Sequence, residues 1–201
     1  AETAEGIVLV DGESAGIEEI RYETDKQTVT LSSREDERGR YLWIKNIART
    51  TRNVPVTPPV EEEAEETLLE ETEEGEEGEE GEEIEEGEEI EEVQETEEIT
   101  EERITEFKAG KAGTDLLEKF SPLIAERQLE DVDPNQLEEM GLAEPEGTLT
   151  LNRRGQAPTV LEVGGEAFGT RDRYVRDAQG QIYLVAADVL RPLKFATTRL
   201  P

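Results

Sequence analysis

Short runs of alternating hydrophobic and polar positions occupy both ends of this chain, and between them the pattern collapses into glutamate. Gly6-Ile-Val-Leu-Val10 is an apolar run closed by the turn pair Asp11-Gly12, which predicts a short strand. Ile17 to Glu23 alternates weakly, with Ile20 and Tyr22 on one face, and Thr24 to Gln27 reads as a hairpin loop. Thr28 to Ser33 sets Val29 and Leu31 against Thr28 and Thr30, the mark of a half-buried strand. A polar loop, Arg34 to Gly39, leads into Arg40-Tyr-Leu-Trp-Ile-Lys-Asn46. Residues 17–46 are therefore expected to form a three-stranded antiparallel meander, with Trp43 as a core or edge aromatic. Residues 47–60 lose periodicity and end in a Pro-rich, linker-like stretch.

Helical spacing begins after the glutamates. Thr114 is the expected N-cap, followed by Leu116, Leu117, Phe120, Leu123 and Ile124 on one stripe. Pro122 lies inside that stripe and should kink or divide the helix. Asp133-Pro-Asn-Gln136 is a second helix start, with Asp as cap, Pro at the first position and Gln at the third; Gly141 ends it. Strands return at Thr148–Leu151 and Thr159–Val163 around Arg153-Arg-Gly155. A further hairpin pairs Arg173–Arg176 with Gln181–Val185 across Asp177–Gly180. A short helix starts at Asp188 and turns Val189, Leu190 and Leu193 inward. Strands, insert, helices, strands and helix in that order predict an α+β fold, a mostly antiparallel sheet with two or three short helices, interrupted by an acidic loop.

Charge separates the fold from the insert. The chain of 201 residues carries a net −32. Residues 61–106 hold 27 Glu and one basic residue, Arg103, a local net of −26, which leaves −6 for everything else. The domain plan is thus a β-meander half at 1–60, a Glu-rich insert at 61–106 and an α+β half at 107–201, each half close to balanced. From Glu73 to Val93 the insert runs in triplets of Glu-Glu-X, a period that suits neither helix nor strand. With glycines at Gly75, Gly78, Gly81 and Gly87 and no counter-charge, it is expected to be disordered. Its end, Val93 to Phe107, loses the glycines and is free to become helical or to pair as a strand.

From Phe107 onward the order of motifs resembles a known family. Leu116-Leu-Glu-Lys-Phe-Ser-Pro-Leu-Ile-Ala-Glu-Arg127 is followed by Met140-Gly-Leu-Ala-Glu-Pro145, a strand, and Leu161-Glu-Val-Gly-Gly165. Arg173-Tyr-Val-Arg176 and Ile182-Tyr-Leu-Val185 then complete the set. The succession is similar to the bacterial domain-of-unknown-function 4340 family over about residues 110–200, with Tyr41-Leu-Trp43 fitting more loosely. The resemblance implies a periplasmic cell-envelope protein with an N-terminal membrane anchor. It also implies protein partners such as transporter-associated membrane proteins, in ABC-type transport or gliding-related systems. It carries over no catalytic residues. The acidic tract stands outside the family pattern, and the usual anchor is not in this sequence, which begins Ala-Glu-Thr-Ala as expected of a chain shorn of a leader or anchor.

The chemistry expected is correspondingly sparse. The chain has no His and no Cys, which removes Ser–His, Cys–His and His-ligated metal chemistry. No stretch approaches the roughly 20 apolar residues that span a bilayer. Asp131-Val-Asp133-Pro-Asn135 opens like a calcium loop, but Gln136 replaces the turn glycine and Leu142 the bidentate Glu, so a helix cap is expected. Paired carboxylates could serve a hydrolase, yet no carboxylate outside the tract lies in a marked motif. Val163-Gly-Gly-Glu166 reads as a turn. Residues 148–201 hold 8 basic and 5 acidic side chains, with Arg153, Arg154, Arg171, Arg173 and Arg176 near predicted turns. These form either an anion- or partner-binding face or an ordinary solvated surface, the simpler reading. Nucleic acid is disfavoured, because the tract repels phosphates.

The tract itself has three readings: a passive solubilising insert, a loose multivalent collector of Ca2+ or basic proteins, or a segment that folds back on the chain's own basic face. Any Ca2+ association would be weak and salt-sensitive. No cofactor and no enzymatic activity are expected. The leading expectation is a non-enzymatic envelope interaction module, with an acidic-loop binding protein as the alternative.

Overall fold

The structure is a computed structural model that describes residues 6–55 and 96–201. The glutamate triplets of 73–93, and the disorder expected of them, lie outside the described residues. The chain divides into a larger unit, Ala1–Thr50 with Thr100–Pro201, and a smaller one, Thr51–Ile99. Of the smaller unit, the described residues are the ends of two strands, exposed except for half-buried Val54. The rest of the description concerns the larger unit.

The first elements are β1 (Ile7–Val10), a 3-10 turn at Ser14–Gly16, β2 (Ile17–Thr24), β3 (Gln27–Asp36), β4 (Gly39–Pro55), β5 (Thr96–Lys108) and α1 (Lys111–Lys119). There follow β6 (Leu123–Ala125), β7 (Arg127–Leu129), α2 (Pro134–Glu139), β8 (Gly147–Arg153), β9 (Thr159–Glu166), β10 (Arg173–Arg176), β11 (Ile182–Val185), α3 (Ala187–Lys194) and α4 (Ala196–Arg199). Nine strands form one sheet in the order β5-β4-β3-β2-β8-β9-β10-β11-β7, and β1 pairs with β6 in a second, two-stranded sheet. The α+β expectation holds at this level.

The order contains one topology twice. Strands β2 to β5 and then α1 form a four-stranded antiparallel meander with a helix behind it; β8 to β11 and then α3 repeat the same path. The two meanders meet at β2 and β8, which pair antiparallel through Ile20–Leu151 and Tyr22–Leu149. The connection between third and fourth strands is where the repeats part. In the second it is the turn after Arg176 that brings Arg176 opposite Ile182. In the first it is the stretch from 56 to 95, with 22 of the tract's 27 glutamates.

Alternation explains which face is buried. Val29, Leu31 and Ile44 on the first meander, and Leu149, Leu151, Leu161, Val163 and Val175 on the second, all face one core. A bulge between Ile17 and Glu19 resets the period, so that Ile17 and Ile20 both turn inward. Leu116 and Phe120 of the α1 region, Val189, Leu190 and Leu193 of α3, and Leu200 at the C-terminal end close this core. Each such side chain contributes about 1.5–3 kcal/mol when buried. The opposite face of the central strands is polar, as antiparallel sheets allow. There Trp43 lies half-buried under the Arg34 guanidinium, 4.9 Å from the ring centre, on a strand paired on both sides and so neither in the core nor at the sheet edge.

Several expectations are corrected. Strand β4 runs on to Pro55 where a linker was expected, because β5 supplies its hydrogen bonds. Arg49 meets Glu102 at 3.1 Å, Lys45 meets Glu106 at 3.8 Å, and the Ala109 N–H donates to the Leu42 carbonyl, all in one antiparallel register. The last eleven residues assigned to the insert, 96–106, therefore belong to a strand. Its charged side chains make a poor template for edge-to-edge pairing.

Helix α1 starts with Gly110 as its cap, whose N–H donates to Leu200; Thr114 lies within the first turn. The apolar stripe breaks before Pro122, and Leu123 and Ile124 belong to β6. Val163-Gly-Gly-Glu166 is strand, not turn: the Met140 carbonyl takes the Gly165 N–H at 2.7 Å and leaves no room for a Cβ at Gly164. The cap at Asp133 is as expected, a full capping box with Gln136, and not a cation loop.

A candidate anion-binding cleft

The five arginines singled out in the sequence do not gather. Arg153 is 6% exposed, and its guanidinium donates to the carbonyls of Asp11 and Glu13, clamping the β1–β2 connection. It is a structural residue and leaves the expected face. Arg154 pairs with Glu18 at 3.3 Å at that same end of the sheet. Arg176 pairs with Glu162 between β9 and β10. Arg171 and Arg173 remain, and the fold brings them to a different set of neighbours.

Those neighbours line a cleft of ≈ 330 Å³. Tyr22 of β2, Val163 of β9 and Leu190 of α3 belong to its lining and also to the core. Glu166, Arg171 and Arg173 enter from the β9–β10 side, and Arg191, Lys194 and Phe195 from the end of α3. The β9–β10 loop is fixed by its own hydrogen bonds: the Ala167 N–H donates to Asp172 at 2.8 Å, and Gly169 takes the turn at φ +80°. Phe168 in this loop is fully exposed.

Two kinds of cation line the cleft. Arg173 is engaged: it reaches Glu146 at 2.5 Å, the Gly164 carbonyl at 3.1 Å and Glu166 at 3.3 Å. Lys194 takes the other oxygen of Glu146 at 2.5 Å. Burial works to raise the Glu146 carboxyl, but hydrogen bonds and charge from Lys194 and Arg173 outweigh it and hold it below the usual carboxylate range. The guanidinium groups of Arg171 and Arg191, by contrast, have neither an ion pair nor a hydrogen bond among the described residues.

The Tyr22 side chain adds a polar group to the lining. The residue is 2% exposed, and its hydroxyl has no hydrogen-bond partner among the described residues. Burial, then the Glu146 charge, pushes the phenol up to about 12 against a smaller opposing effect of Arg173. It stays protonated and able to donate at any physiological pH. Phe195, 46% exposed, offers an aromatic ring beside these groups.

Helix α3 is held in place by an exchange of partners. Pro192 inside it has no N–H for the Asp188 carbonyl, four residues earlier. The Lys119 ammonium of the neighbouring helix approaches that carbonyl at 3.4 Å and bonds the Asp188 carboxylate at 2.5 Å.

The sequence reading missed Tyr22, Arg191, Lys194 and Phe195. Arg191 and Lys194 were legible as the polar side of a helix, but nothing in their spacing points to Arg171. Elsewhere, burial raises the Glu126 carboxyl, and the nearby charge of Asp172 and a hydrogen bond shared with it add to the effect. Among the described residues no cluster of three carboxylates is arranged to hold a metal ion. No helix among them is long and apolar enough to cross a membrane. Comparison with protein-family models, with curated proteins and with solved structures found no match to this chain.

Proposed function

We propose that this chain is a non-enzymatic interaction module of the bacterial cell envelope that receives an anionic group of a protein partner in the cleft beside α3. The observation that carries the reading is the pair Arg171 and Arg191. Both line a cleft, and neither has a counter-ion among the described residues. Around them Arg173 and Lys194 are balanced by Glu146 and Glu166, so Arg171 and Arg191 leave the cleft an uncompensated positive charge. Phe168 and Phe195 add exposed aromatic surface of the kind that dominates binding energy at interfaces.

A binding role also suits the chemistry. Glu146 commits its oxygens to two cations, and a chain without His or Cys has few other groups for acid–base or nucleophilic work near neutral pH. The envelope setting, an anchor in the full-length protein and partners among transporter-associated or gliding-related membrane proteins rest on the family resemblance of residues 110–200. A second reading, favoured by the 27 glutamates of 61–106, is that the tract gathers Ca2+ or basic proteins weakly.

Site-specific photo-crosslinking in native cells tests the first reading. A photoreactive residue replacing Phe168 should yield discrete adducts with envelope proteins, and one replacing Val160, exposed on β9, should not. Adducts from Val160 alone, or adducts from Phe168 that survive Arg171→Ala with Arg191→Ala, would contradict it.

A further inference from the structure

The cleft does not end at α3. Lys194 and Phe195 also line a second groove of ≈ 520 Å³, whose other walls are the β2–β3 turn at Thr24–Gln27 and the segment Glu144–Glu146. The two depressions therefore adjoin along the Lys194–Phe195 edge, with the Glu146–Lys194 ion pair between them. The Gln27 side-chain amide donates to the Lys194 carbonyl at 3.0 Å and ties the second groove to the end of α3. Each compartment has its own chemistry. The first offers the unpaired guanidinium groups of Arg171 and Arg191 and the unpartnered hydroxyl of Tyr22. The ridge offers a half-exposed phenyl ring. The second groove carries Asp25 and Glu144 alongside Lys26 and has the larger volume.

We propose that the paired grooves bind an extended peptide segment of a partner protein in which an aspartate or glutamate is followed by a large apolar residue. The carboxylate sits between Arg171 and Arg191 and accepts from the Tyr22 hydroxyl. The apolar side chain lies on Phe195, and the peptide backbone continues past Thr24 and Gln27. This rests on the interaction-module reading above and assigns its ligand.

Two features of the site favour a carboxylate on a peptide over a free anion. Donors that line one cleft from β2, from the β9–β10 loop and from α3 suit a planar group held from several sides. The aromatic ridge and the second groove give energy only to a ligand that extends beyond the anion. Both free arginines are exposed and support no neighbour among the described residues, so their removal leaves the fold intact.

Fluorescence anisotropy on the whole chain, with labelled synthetic peptides, is the test. A peptide with an Asp-Leu core should bind, and its Asn-Leu and Asp-Gly counterparts should each bind about 10-fold more weakly or worse. Arg171→Ala with Arg191→Ala should abolish the preference for Asp over Asn, Phe195→Ala should abolish the preference for Leu over Gly, and Arg154→Ala should change neither. Equal binding of the Asp and Asn peptides would overturn the assignment. So would complete displacement of the Asp-Leu peptide by millimolar inorganic phosphate, since the site would then take any anion. Loss of cellular crosslinks in the double arginine variant without any peptide discrimination would leave the interaction module standing and remove this ligand class. Peptide discrimination with crosslinks unchanged would do the reverse.

Discussion

The two repeats use the same path for different ends. In the first, the helix ends at Phe120, which is completely buried, and the edge strand β5 is lined with glutamates. In the second, the helix ends at Phe195, which is 46% exposed beside a cleft, and β11 is buried throughout. The capping position is the same and the residue is the same, yet one phenyl ring holds the core together and the other faces solvent. The Phe195 ring is apolar surface left outside at the place where its counterpart Phe120 is inside. The unpaired arginines lie on that same side of the molecule, next to the exposed ring.

The pair of phenylalanines gives the largest effect by which this contrast can be broken. Phe120→Ala should lower stability by about 3–5 kcal/mol, because it empties a fully packed site. Phe195→Ala should change it by about 0.5 kcal/mol or less, as surface substitutions do. Urea unfolding of both variants measures the difference. Similar losses at the two positions would mean that Phe195 is as structural as Phe120.

A smaller effect sharpens the electrostatic side. Glu146→Gln leaves Arg173 and Lys194 without their shared carboxylate and should destabilise the chain by about 1–2 kcal/mol near neutral pH. The folded state holds this carboxyl below its ordinary 4.5, so its contribution is complete above that value and is lost as pH falls through the lowered one. The stability gap between the native chain and the variant should therefore close as the medium is acidified from neutral pH to well below the ordinary carboxylate range. A gap that stayed constant over that range would show that the carboxylate's charge is not what matters.

Much of the fold was legible because period-two alternation and turn residues act locally. The hairpins β2–β3, β8–β9 and β10–β11 and the Asp133 capping box all follow from such signals. What was not legible depends on distant partners. Strand β4 keeps going without an apolar pattern because β5, separated from it by the acidic stretch, supplies its hydrogen bonds. Gly164 and Gly165 look like a turn until the Met140 carbonyl arrives to occupy the space a side chain would fill. Thr114 has a good capping side chain, but Gly110 is fixed one turn earlier by the Leu200 carbonyl, and the helix starts there.

The site suffered most from this limit. Arg153 seemed as available as Arg171 until its guanidinium was found on the Asp11 and Glu13 carbonyls. Tyr22 and Arg191, 169 positions apart, share a cleft only because β2 lies at the centre of the sheet and α3 packs against it. No spacing rule connects them.

We propose that recognition belongs to the cleft beside α3 and not to the glutamates of residues 61–106. The most direct measurement compares two altered chains in the Phe168 crosslinking assay. One lacks residues 61–90 and keeps β5 whole; the other carries Arg171→Ala with Arg191→Ala. The shortened chain should give the native adducts in native yield, and the double variant should lose them. Adducts that vanish on removal of 61–90 and persist without the two arginines would contradict the account.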